Sequence, residues 1–139
     1  MSRPKPPERS STPLWKKLGV REGSRVLVLG APQGFSLAEV PRGARMLARS
    51  RPPLDVVLLI VTRRADLRRR FDGLVASLAP AGRLWIAWPK KASKVRTDLT
   101  FEVVQGLGLA AGLVDNKSAS IDQVYQGLQF VRRLADRGA

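Results

Sequence analysis

Four short segments of this 139-residue chain carry groups suited to holding an anion. Gly30, Gln33 and Gly34 follow an apolar run and can present backbone N–H groups. Arg63 and Arg64 follow a second run, Lys90 and Lys91 a third, and Asn116 and Lys117 end a weaker fourth. Guanidinium, ammonium and amide N–H groups together suit phosphate or another oxyanion. Each segment also has a plain reading, since glycines permit tight strand-to-helix turns and a cationic run can be a solvated face. Acid–base chemistry has fewer carriers, because the chain holds no His and no Cys. That removes imidazole bases, thiolate nucleophiles, disulfides and the usual zinc donors, so no metal is expected. Asp98 and Asp115 are the candidate catalytic carboxylates, able to position an acceptor. The plainer reading makes Asp98 a helix-start residue and Asp115 the partner of a neighbouring Arg.

The charge points the same way as the anion-holding segments. Twenty-five Lys and Arg against eleven Asp and Glu give a net charge of +14. Residues 1–12 hold Arg3, Lys5, Arg9 and Glu8, which leaves +12 on the rest. Such a field attracts polyanions, of which nucleic acid is the commonest, although an Arg-rich solvated surface gives the same sum. The longest apolar run, Val56 to Val61, is far short of the ~18 residues of a membrane span, so no membrane partner is expected. No apolar stretch follows the basic N-terminus, and a cytoplasmic location is the expectation.

Alternating strand and helix signals must position these groups. The Pro-rich stretch to Thr12 reads as a disordered basic tail, residues 13–134 as one α/β domain and residues 135–139 as a short tail. Thr12 and Pro13 open a short helix, Leu14 to Leu18, closed by Gly19. Arg25–Gly30, Leu54–Val61 and Arg83–Trp88 are continuous apolar runs, the mark of parallel strands buried on both faces. Leu67, Phe71, Leu74, Val75 and Leu78 form one helical face, with Thr62 as its cap and Pro80-Ala81-Gly82 as its stop. A second helix is expected from Thr100 to Leu107, ended by Gly108. Strands follow at Ala110–Lys117 and Gly127–Arg133, with Asp122-Gln123 in their turn. Trp85 and Trp88 point to opposite faces; Trp85 reads as core, and Trp88 as core or as a platform for a base. Asp55, at the opposite strand end, reads as structural.

Gly23-Ser24-Arg25-Val26-Leu27-Val28-Leu29-Gly30 resembles the first strand of Rossmann-type methyltransferases that use S-adenosylmethionine. Asp55-Val56-Val57-Leu58 resembles their fourth strand, and Leu78-Ala79-Pro80-Ala81-Gly82-Arg83-Leu84 the approach to their fifth. Trp88-Pro89-Lys90-Lys91-Ala92-Ser93, Thr97-Asp98-Leu99-Thr100 and Gly112-Leu113-Val114-Asp115-Asn116-Lys117 are similar to the uncharacterised bacterial family called domain of unknown function 3052. The resemblance spans about residues 12–133. It implies a shortened, mostly parallel methyltransferase-like α/β sheet with a C-terminal antiparallel hairpin and helices on both faces. It also exposes departures. The first strand ends Leu29-Gly30-Ala31-Pro32-Gln33-Gly34 without an acid, and about 24 residues separate Gly30 from Asp55, too few for two full crossovers. Ala44-Arg45-Met46-Leu47-Ala48 reads as a remnant second strand followed by Arg49, where the family has an acid for the ribose.

The leading expectation is a non-catalytic or regulatory protein binding nucleic acid or another polyanion at the carboxyl edge of the sheet, where such folds bind ligands. Its residues are Gly30, Gln33, Gly34, Arg63, Arg64, Lys90, Lys91, Asn116 and Lys117, and no cofactor is expected. The alternatives are a divergent methyltransferase using S-adenosylmethionine and a binder of a small phosphate ligand. The oligomeric state is not legible in the sequence.

Overall fold

The computed structural model describes residues 12–37 and 39–137, so all of the expected 1–12 tail except Thr12 lies outside the described residues, as do the last two residues. Strands β1 (Arg25–Leu29), β2 (Arg45–Leu47), β3 (Leu54–Ile60), β4 (Leu78–Pro89), β5 (Leu113–Ser120) and β6 (Tyr125–Arg132) form one six-stranded sheet in the order β2-β1-β3-β4-β6-β5. The first four run parallel, and β6 is antiparallel to both β4 and β5. The remnant second strand is therefore a real edge strand, β2. The sheet is the short, mostly parallel one with an antiparallel C-terminal pair that the sequence predicts.

β3 sits near the middle because it has no polar face to expose. Val57 and Leu59 enter one core with Leu84, Ile86 and Trp88, while Val56, Leu58 and Ile60 enter the other with Val26 and Trp85. Helices α2 (Arg64–Ser77) and α3 (Phe101–Ala110) cover the first face through Leu67, Phe71, Leu74 and Val104. Helix α1 (Leu14–Leu18) covers part of the second with Leu18, whose carbonyl accepts the Trp85 indole N–H at 3.1 Å. Trp85 and Trp88 do face opposite ways, and both are core. Trp88 is 3% exposed, which removes it as a platform for a base.

The caps differ from those the sequence suggests. The N-cap of α1 is Pro13, one residue after Thr12. Thr62 does not cap α2. Arg63 occupies the cap position without a side-chain bond, and the Asp98 carboxylate, 34 residues away, accepts the Arg64 N–H at 2.6 Å. The other end of α2 is held by Arg132, which donates to the carbonyls of Val75 and Leu78 at 2.8 and 3.2 Å. Pro80-Ala81-Gly82 is not the stop either. The helix ends at Ser77, and these residues already belong to β4, at the register shift opposite Leu54 and Val56.

Toward the C-terminus the strands lie later or earlier than expected, at 113–120 and 125–132. The physical reason for the first is Gly108, which does not end α3. It lies inside the helix where a Cβ would collide with the Phe130 ring, so the glycine lets α3 settle on the sheet. Phe130 in turn meets Phe71 edge-on, with ring centroids 6.3 Å apart. Gly106, two residues earlier, has open space where its Cβ would be. Gly106→Ala should therefore stabilise the fold by ~0.5–1 kcal/mol through helix propensity. Gly108→Ala should lose ~1–3 kcal/mol to overpacking. Urea unfolding of the two variants checks the opposite signs; equal signs would mean α3 is docked otherwise.

Candidate functional site

The parallel strands β1, β3 and β4 finish on one edge, and a polar loop over residues 90–100 begins where β4 ends. Its start is fixed by the Lys90 N–H donating to the Val124 carbonyl at 2.7 Å. Lys91–Ser93 makes one 3-10 turn, in which the Ser93 hydroxyl donates to the Lys90 carbonyl and accepts the Val95 N–H. The loop is then stitched to the end of β3. The Thr97 hydroxyl donates to the Thr62 carbonyl at 2.6 Å, Asp98 caps α2, and the Thr100 hydroxyl caps α3 by accepting the Val103 N–H at 3.2 Å. These bonds hold an otherwise polar segment in one shape.

That shape encloses a groove of about 560 Å³. Lys90, Lys91, Lys94 and Arg96 line it over a base that includes Trp88 and Leu99, and Glu102 is the one carboxylate among its lining residues. Lys91, Lys94 and Arg96 are exposed. Among the described residues the single ion pair is Asp66 with Arg69, so none of the groove's cations is neutralised by a salt bridge. Lys94 has a left-handed backbone at φ 62°, a conformation that costs an L side chain energy. A second hollow of about 510 Å³ shares Trp88, Lys90, Lys91, Phe101 and Gln126 and reaches Ser118 to Ser120.

The anticipated residues do not all meet at the groove. Lys90 and Lys91 are in the groove, with the Lys90 ammonium donating to the Ser120 hydroxyl at 2.7 Å. Arg63 and Arg64 stand on the same edge beside it, and Arg64 reaches the Asp98 carbonyl at 3.5 Å. Gly30 lines a smaller crevice of about 230 Å³ between the ends of β1 and β3, with Thr62, Asp66, Arg69, Arg70 and Tyr125. There Gly30 is required, because a Cβ would strike the Ile60 carbonyl oxygen and its φ is 75°. Gln33 and Gly34 form an exposed turn whose Phe35 N–H already bonds the Pro32 carbonyl.

Asn116 and Lys117 do not join the edge. β5 continues to Ser120, which leaves them in mid-strand at a register shift. Asn116 accepts from Gln129, and Lys117 donates to the Lys17 carbonyl at the end of α1. The two candidate acids are also engaged: Asp98 as the cap of α2, and Asp115 as acceptor for Gln105 of α3 at 3.2 Å, not for an Arg. Asp55 accepts the Arg25 N–H at 2.9 Å and is structural as read.

Sequence reasoning missed Lys94, Arg96, Phe101 and Gln126. The signal for the first two was there, four cations in the seven residues 90–96. It also missed a second basic cluster on the opposite edge. Arg83 lies against Gly19 and donates to the buried Gln129 at 3.2 Å. Burial, and then the nearby Arg21 and Arg137, push its pKa down.

No protein-family model matches the sequence, and no curated protein matches it. Solved structures do resemble the fold. A SAM-dependent methyltransferase from Aquifex aeolicus superposes with a TM-score of 0.54 at 16% identity, over 84% of this chain and 86% of that one. A structure of a fibrillarin/Nop5p complex gives 0.51 at 12% identity, over 82% of this chain and 75% of the matched chain. At these identities the likeness shows a methyltransferase-like fold.

Substitutions at Asp98 and Arg21 check the assignments of Asp98 and Arg83. Asp98→Ala should cost ~0.5–2 kcal/mol, the range for removing a helix cap, and Asp98→Asn less, because its amide oxygen still accepts. A folded-state pKa below the ordinary value means that the Arg83 charge costs stability wherever it is protonated, with relief only at strongly alkaline pH. Arg21→Gln removes one source of that cost and should raise stability by a few tenths of a kcal/mol, roughly the scale of an exposed charge pair. Thermal melts read both.

Proposed function

Starting from a methyltransferase-like sheet with a cationic groove over its carboxyl edge, we propose that the chain is a non-catalytic or regulatory binding protein whose anionic partner is nucleic acid. The observation that carries this reading is the groove itself. Four cations from one stitched loop line it, and none forms an ion pair with a described carboxylate. Charge left unpaired on a preorganised surface is what phosphate recognition uses, since bound cations release the polyanion's counterions. The left-handed Lys94 is local strain kept in that same loop. We also assign the chain to the domain of unknown function 3052 proteins on its Trp88–Ser93 and Gly112–Lys117 strings, the first of which builds the groove. No described helix is long and apolar enough to cross a membrane, and we take the protein to act in the cytoplasm.

The fold family implies S-adenosylmethionine, and the residues at the switch in strand order do not fit it. The crevice between β1 and β3 measures about 230 Å³, below the ~300 Å³ at which small-molecule pockets begin. Arg69 and Arg70 border it, the wrong charge for a sulfonium, and its one carboxylate, Asp66, is paired with Arg69. β2 is followed by Ala48 and Arg49 in place of an acid. The methyltransferase reading therefore has the fold in its favour and the site against it.

Lys91→Gln with Lys94→Gly tests the groove. Glycine at residue 94 removes the strained conformation, so the double variant should keep its melting temperature. On duplex DNA the slope of log affinity against log salt should fall by about 1.8, at ~0.9 for each phosphate no longer neutralised. Arg42→Gln with Arg49→Gln, exposed beside β2 and away from the groove, is the control. Equal effects from both pairs would reduce the binding to diffuse surface charge, and no salt-sensitive binding by the unaltered protein would end the nucleic-acid reading.

A further inference from the structure

Among the described residues, Phe101 is the one aromatic ring the fold leaves out. It is 41% exposed and belongs to neither hydrophobic core, yet it lines both hollows at the end of β4. The helical period explains how this arises. Residues 101, 104 and 108 share one helix face, and Val104 and Gly108 on that face are buried against the sheet. Phe101 continues the row at the first position of α3, past the point where strands lie beneath it. The side chain that the pattern aims inward therefore hangs over the groove. Val95, 40% exposed, is a second exposed apolar side chain among the lining residues. Exposed apolar surface flanked by unpaired cations is an arrangement with two chemistries, one for a ring and one for a phosphate.

Resting on the nucleic-acid reading of the same groove, we propose that its ligand is single-stranded and that Phe101 stacks on one of the bases. Lys91 and Lys94, on the neighbouring turn, hold the flanking phosphates. A duplex buries its base faces in its own stack and offers a protein surface only phosphates and groove edges, so it has no use for an exposed ring in a hollow. A single strand offers both a free base face and a flexible backbone. Base–aromatic stacking with a cationic track is the general means of holding one, largely independent of sequence.

The test compares three polyanions at one salt concentration: a short single-stranded oligonucleotide, its duplex, and polyphosphate, which has charge but no bases. The wild-type protein should prefer the single strand. Phe101→Ala should weaken single-strand binding by roughly 5- to 150-fold, the loss equivalent to one stacked base, while duplex and polyphosphate binding stay unchanged. Phe101→Trp should retain the preference, and its fluorescence should be quenched when the strand binds. Circular dichroism confirms that both variants fold. Equal binding of all three polyanions, with no effect of Phe101→Ala, would overturn the stacking proposal and leave the polyanion reading standing. Absence of salt-sensitive binding to any of them would remove both. A change in oligomeric state on Phe101→Ala, with single-strand affinity unaltered, would assign the ring to a protein contact and also overturn the proposal.

Discussion

The structure depends on one constraint, that β3 cannot face water on either side. Five consecutive residues, Val56 to Ile60, are buried, and a strand of that kind must lie between covered faces. Parallel neighbours β1 and β4 supply its hydrogen bonds. Parallel pairing needs crossovers, and those crossovers bring α2 over one face. It also aligns the carboxyl ends of β1, β3 and β4, so that the loops leaving them meet on one edge. The groove is a consequence of that alignment. It exists where it does because β4 is the last parallel strand, and its chain must leave the edge, return through α3 and re-enter as the outer strand β5.

The edge then carries charge that the core does not need. The two α2 termini show how the fold spends its few carboxylates and some of its many cations on structure. Asp98 caps one end and Arg132 the other, and both come from remote segments. Lys117 and Arg83 are likewise engaged, with the end of α1 and with Gln129. Among the described residues Lys91, Lys94 and Arg96 have no ion-pair partner, and they are held by a loop whose own polar groups bond through Ser93, Thr97 and Thr100. A loop held by its own hydrogen bonds differs from a merely basic surface, because an arriving anion has only the exposed side chains left to order.

The central strands and α2 are legible in the sequence because their burial repeats locally, as unbroken apolar runs and as the Leu67–Phe71–Leu74 period. Features set by distant contacts are not. Thr62 reads as the cap because it precedes the helix, but a carboxylate held in place by the Thr97–Thr62 bond makes the stronger, charge-assisted hydrogen bond. Gly108 reads as a helix end, and only the Phe130 ring explains why it is interior. β5 is an outer strand with exposed Asn116, Lys117 and Ser118 and a register shift, so its alternation is too broken to place its end. A strand read as stopping at Lys117 puts that lysine on the carboxyl edge, three residues short of where β5 ends. Of the candidate site, the cationic loop after Trp88 is visible as composition; the exposure of Phe101, which depends on where the strands stop, is not.

The central claim is that the groove at the end of β4, and no other charged part of the surface, meets the anion. Titrating a short single-stranded oligonucleotide into isotope-labelled protein, and following backbone amide chemical shifts, tests it directly. The account predicts the largest changes at Lys90 to Arg96, Phe101, Glu102 and Gln126, with Arg21, Arg83 and the β2 edge nearly still. Changes centred on the Arg21–Arg83 cluster, or spread evenly over every exposed Arg and Lys, would contradict it.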